Sequence, residues 1–187
     1  MTMRIAIIGM GQIAKTQHLP AIAANDAFAL VAIVNPVEVE PPPGGMLFES
    51  LDHLLASGTL VDAVAICTPP RVRYAIARKA LQAGMHVLSE KPPTQTVLEA
   101  DDLRILAASV KRTLFATWHS RFSRGAFEAR KIVASRDVQD VRIVWKEDSE
   151  KWHPNVTWFW EPAGFGVFDP GINAVSILQM VMPSPIF

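Results

Sequence analysis

The chain has 187 residues, 50% of them hydrophobic and 19% charged, which excludes a disordered, collagen-like or disulfide-stapled protein. Eighteen Lys and Arg balance eighteen Asp and Glu, so no net field draws the chain onto nucleic acid or an anionic membrane, and one cysteine admits no internal disulfide. No apolar run approaches the roughly 18 residues of a membrane span, and the apolar start breaks at Gly9 and Gly11 without a cleavage site, so it reads as mature structure in a reducing, cytoplasmic compartment.

The first element is a strand, Arg4-Ile5-Ala6-Ile7-Ile8, whose β-branched run enters a glycine turn. A helix over 13–24 and a second strand over 28–34 complete a strand-helix-strand unit. Residues 36–45, with Pro41-Pro42-Pro43-Gly44-Gly45, form a surface loop. Then come a short helix over 51–56, a third strand over 61–67, a helix over 71–83 closed by Gly84, and a fourth strand over 86–88. A helix over 94–109 and a fifth strand over 113–117 follow. This alternation predicts an α/β domain over 1–120, a doubly wound parallel sheet with helices on both faces.

From 121 to 187 the pattern changes. A helix over 124–134 precedes Val141, Ile143, Trp145 and Glu147, which alternate with Arg142, Val144 and Lys146 as on a half-buried strand of an antiparallel sheet. An aromatic-rich loop spans 152–160, and Asp169-Pro170-Gly171 begins a helix to about 182, with Asp169 as N-cap and Pro170 at the first helical position. This predicts an incomplete α+β domain with an open antiparallel sheet, whose unpaired edges take neighbours from further chain or from another subunit; a homo-oligomer through that sheet is expected.

Gly9-Met10-Gly11-Gln12-Ile13-Ala14 lies between the first strand and first helix, the setting in which G-x-G-x-x-A reads as a dinucleotide cradle. Gly9 permits the tight turn, Gly11 the approach of a pyrophosphate, and the helix start at Gln12 and Ile13 offers free N–H groups to phosphate. Asn35 holds the place of the usual ribose-binding acid; it is either a ribose ligand or a turn residue ahead of Pro36. No Lys or Arg occurs from Thr16 to Pro70, while Glu38 and Glu40 are close by, so NAD is favoured over NADP.

Four tracts in order, the glycine loop, Cys67-Thr68-Pro69-Pro70, Glu90-Lys91-Pro92 and Gly166-Val167-Phe168-Asp169-Pro170-Gly171-Ile172-Asn173, resemble the Gfo/Idh/MocA oxidoreductases. His119-Ser120-Arg121-Phe122, Trp145-Lys146-Glu147-Asp148 and Trp152-His153-Pro154 narrow the resemblance to the branch of bacterial galactose 1-dehydrogenases and L-arabinose 1-dehydrogenases. It covers the whole chain and implies a Rossmann domain with NAD(P), followed by a substrate domain that in family members continues past position 187. The implied reaction is oxidation of an aldose, D-galactose or L-arabinose, at C1 to the aldonolactone, without a metal. Another sugar or polyol dehydrogenase of the family and a non-catalytic NAD(P)-binding sensor or truncated relative stay as alternatives.

Lys91 stands at the carboxyl end of a sheet strand, where ligands bind in this architecture, and Pro92 keeps it extended; alone it also reads as a surface lysine beside a turn. The resemblance makes Lys91, Asp169 and Asn173 the catalytic group, Asn173 standing where the family usually has His. Thr68, Pro69, Glu90 and Lys91 join the glycine turn and Asn35 as cofactor contacts. His119, at the end of the fifth strand, and Glu147, at the end of the alternating one, read as sugar contacts or as solvent-facing strand ends, and Trp152 and His153 as sugar contacts or core plugs. They join Asp169 and Asn173 as candidate sugar contacts, with Trp158 and Trp160 assigned to packing. Cys67 reads as a buried structural thiol, and His18, His53 and His86 have no metal-ligand spacing.

Overall fold

The computed structural model describes residues 2–41, 43–148, 151, 156–162 and 164–182. The chain divides into two units, Met1–Thr117 and Trp118–Phe187. No helix among the described residues is long and apolar enough to cross a membrane.

The first unit is a six-stranded parallel sheet in the order β3-β2-β1-β4-β5-β6. Its strands are β1 (Met3–Ile8), β2 (Phe28–Val34), β3 (Met46–Phe48), β4 (Ala63–Ile66), β5 (His86–Ser89) and β6 (Leu114–Ala116). Parallel strands need helical crossovers, supplied by α1 (Leu19–Ala23), α2 (Leu51–Ala56), α3 (Pro70–Gln82) and α4 (Val97–Ser109). Alternate residues of the central strands feed two cores. Ala6, Ile8, Val64 and Ile66 meet Leu54, Leu81 and Leu103 on one face. Ile5, Ile7, Ala63 and Ala65 meet Ala14 on the other, with Ile13 and Ile22 packed alongside.

Local chemistry sets the helix starts. Ser50 Oγ accepts from His53 N–H at 3.2 Å to cap α2. Thr96 and Glu99 form a reciprocal capping box at α4, so that helix starts later than position 94. The helix expected over 13–24 contains a π turn, Ala14–His18, before α1. The sheet has one strand more than the sequence pattern revealed, because β3 is a three-residue edge strand directly behind the proline-rich loop.

In the second unit a 3-10 turn (His119–Phe122), α5 (Arg124–Ala134) and α6 (Phe168–Val181) pack against one another. The antiparallel sheet expected here is absent among the described residues: 141–148 are exposed and in no ladder. Period-2 alternation records only a capacity to be half-buried, and a strand needs a paired neighbour that no described residue supplies. Asp169 is likewise not the N-cap. Val167 holds that position, and Asp169 and Pro170 lie inside the first turn of α6.

Candidate functional site

The glycine turn leaves β1 at Gly9, whose φ of +92° is accessible to glycine, and whose N–H donates to the Val34 carbonyl at 2.8 Å. A Cβ there would meet Thr68 Cγ2 and Thr68 N at 3.0 Å, so the turn lies directly on the segment after β4. Gly11 is exposed, and no heavy atom beyond its chain neighbours stands within 4 Å of a Cβ built on it. Gln12 is exposed and Ile13 half-buried at the start of the following helix, whose first N–H groups have no intrahelical acceptors. Thr68 Oγ1 is buried and without a hydrogen-bond partner among the described residues. Open space at Gly11, helix-start N–H groups and an orphaned hydroxyl beside the turn fit a dinucleotide pyrophosphate.

Asn35 clamps this turn. Its Oδ1 accepts from Met10 N–H at 3.1 Å and its Nδ2 donates to the Val37 carbonyl at 2.6 Å, which makes it a turn residue whatever else it touches. Pro69 is the N-cap of α3.

The strand end bearing Lys91 is held by groups far away in sequence. Glu90 is 4% exposed and follows β5. Its Oε1 contacts His18 Nε2 at 2.8 Å, and its Oε2 accepts from Lys91 N–H and Thr117 Oγ1, both at 3.2 Å. Arg73, 6% exposed on α3, donates through Nε to the Thr68 carbonyl at 2.8 Å and through Nη1 to the carbonyls of Glu90 and Pro92 at 3.1 and 2.6 Å. The peptide unit before half-buried Lys91 and the one after Pro92 are thereby held. Sequence reasoning passed over Arg73, Thr117 and His18. Arg73 alone carried a signal, an arginine on the buried stripe Pro70, Arg73, Ala77, Ala80 and Leu81 of α3. Cys67 is the inert thiol expected: burial, with the Glu90 charge adding to it, pushes it up to about 12.

In the second unit Asp169 and Asn173 lie one turn apart on the buried stripe of α6, each 5% exposed, with Ser176 next along it. Asn173 Oδ1 has no hydrogen-bond partner among the described residues. His119 does not end a strand; β6 stops at Ala116, and His119 is exposed in the 3-10 turn. Glu147 is exposed and accepts from Trp145 Nε1 at 2.8 Å. Trp152 and His153 lie outside the described residues. Trp160 is not a packing residue, being 62% exposed; Phe159, 2% exposed and edge-on to Trp160 at 4.7 Å, takes that part.

The sheet order and glycine turn together define a dinucleotide-binding Rossmann protein. Residues 3–117 match the family model described as an oxidoreductase family with an NAD-binding Rossmann fold, and the chain belongs to that family, Gfo/Idh/MocA. It is 46% identical over 98% of its length to galactose 1-dehydrogenase of Pseudomonas fluorescens, of which it covers 59%. The crystal structure of D-galactose-1-dehydrogenase from Rhizobium etli superposes with a TM-score of 0.91 at 43% identity, over 100% of this chain and 60% of that one. The WlbA dehydrogenase of Bordetella pertussis, solved with NADH and UDP-GlcNAcA, matches 71% of this chain and 39% of its own with a TM-score of 0.61 at 27% identity. The chain thus spans about three fifths of the two galactose dehydrogenases it resembles.

Proposed function

We propose that the protein oxidises an aldose, D-galactose or L-arabinose, at C1 to the aldonolactone, with NAD as the hydride acceptor. The observation that carries this reading is the 46% identity to a galactose 1-dehydrogenase along 98% of the chain. Bound on the glycine turn, NAD supplies the carbon that takes the C1 hydride. Gly9, Gly11, Gln12, Ile13, Asn35, Thr68, Pro69, Glu90 and Lys91 form its cradle. Lys91 and Asp169 take the proton of the C1 hydroxyl, and Asn173, with no proton of its own to give up near neutrality, orients a hydroxyl. His119, Glu147, Trp152 and His153 contact the sugar. D-galactose and L-arabinose share hydroxyl stereochemistry around the pyranose ring, so one pocket suits both. The absence of Lys and Arg from Thr16 to Pro70 leaves an adenosine 2′-phosphate without compensation in that stretch, which favours NAD over NADP.

The test is the initial rate of NADH or NADPH formation with galactose, arabinose, glucose and inositol, each with NAD and with NADP, beside Lys91→Ala and Asp169→Ala. The expected result is turnover of galactose or arabinose with NAD, lost in both variants. Turnover of inositol alone would make the protein a polyol dehydrogenase of the same family. Cofactor binding with silence across the panel would make it a non-catalytic nucleotide-binding protein.

A further inference from the structure

The contact between His18 and Glu90 has no part in the reaction as proposed, yet it joins the two elements that the reaction needs. His18 closes the π turn behind the glycine loop, and Glu90 precedes Lys91 at the end of β5, with β4 lying between β1 and β5 in the sheet. The side chains are 13% and 6% exposed. A carboxylate withdrawn from water this far depends on its donors. Oε2 accepts from the Lys91 N–H and from Thr117 Oγ1, whereas Oε1 faces the imidazole. Without His18, that oxygen loses a charge-assisted contact, and the carboxylate gains by turning away from Lys91 toward whatever donor or water it can reach. A π turn adds one residue to a helical turn and so shifts every later side chain around the helix; here it brings His18 to the carboxylate.

We infer that His18 is a positioning residue for Lys91: through the Glu90 carboxylate it fixes the main chain that carries the lysine and ties it to the helix behind the cofactor turn. His18 touches neither substrate nor reacting atoms in this role. The kinetic consequence rests on the aldose dehydrogenase reading, while the structural consequence does not.

Amide hydrogen exchange of Lys91, followed by NMR in the full chain without cofactor, separates the two. His18→Leu removes the contact; His18→Gln keeps an N–H that can reach the carboxylate. His18→Asn, too short to reach, is a milder replacement if the leucine variant does not fold. Exchange at Lys91 is expected to quicken about tenfold in the leucine or asparagine variant, with amides of β1 unchanged, and to return near the wild-type rate in the glutamine variant. In the active enzyme, kcat should fall about tenfold in the leucine or asparagine variant and recover in the glutamine variant. Unchanged exchange at Lys91, equal quickening throughout β1 and β5, or a glutamine variant no better than leucine would each overturn the proposal. A wild-type protein that turns over no sugar overturns the aldose reading instead, and leaves the exchange comparison to decide the role of His18.

Discussion

Gly9 and Gly11 stand two positions apart and do different work. At Gly9 the backbone has φ +92° and a Cβ would crowd Thr68 at 3.0 Å, so Gly9→Ala strains the turn and pushes it off the segment after β4. Its expected cost is on the order of 1–3 kcal/mol of stability, measured by denaturant unfolding. Gly11→Ala meets open space and is expected to change stability by only about 0.5 kcal/mol. Its methyl would instead stand where a pyrophosphate approaches, so NAD affinity by calorimetry should weaken about tenfold or more. Equal loss of stability in both variants would contradict the assignment of Gly11 to ligand approach. Asn35 belongs with these turn residues, since both ends of its amide are engaged by Met10 and Val37.

Among the elements, α3 contributes most to the site through one buried guanidinium. Arg73 donates to the carbonyls of Thr68, Glu90 and Pro92, so replacing it with leucine strands buried acceptors at the ends of β4 and β5 together. Arg73→Leu is expected to lose on the order of 3 kcal/mol, with Arg73→Lys recovering part of it, because an ammonium cannot match the fork of donors. A stability change below about 0.5 kcal/mol in thermal unfolding would show that water replaces these bonds freely. The elements differed in how plainly the sequence announced them. The strands β1, β2, β4 and β5 lie in the sheet interior and therefore read as short apolar runs ended by turn residues. The edge strand β3 has three residues, too few for any period to register. Residues 141–148 alternate as a half-buried strand does, but alternation cannot supply the neighbour that makes a ladder. The glycine turn was legible because Gly9 to Ala14 are contiguous and stand between a strand and a helix. The support beneath Lys91 was not, since His18 and Glu90 are 72 residues apart and no spacing rule links them.

For the whole molecule, the two units carry different parts of the account. The first, Met1–Thr117, contains the Rossmann sheet, the glycine turn and Lys91 with its supports. The second contributes Asp169 and Asn173, buried on one stripe of α6 among residues that are otherwise small or apolar. Asn173 Oδ1, buried with no hydrogen-bond partner among the described residues, is the observation that motivates proposing chemistry on this helix face. Homo-oligomer formation stays a proposal, since the open sheet that suggested it is not seen among the described residues, and sedimentation of the purified chain measures it directly. The central claim is that the C1 hydrogen of an aldose moves as hydride to NAD. D-galactose or L-arabinose deuterated at C1 should therefore deliver its deuterium to C4 of the nicotinamide, seen by NMR of the reduced cofactor, with the lactone as co-product. Reduced cofactor without the label, or no reduction with either sugar, would contradict it.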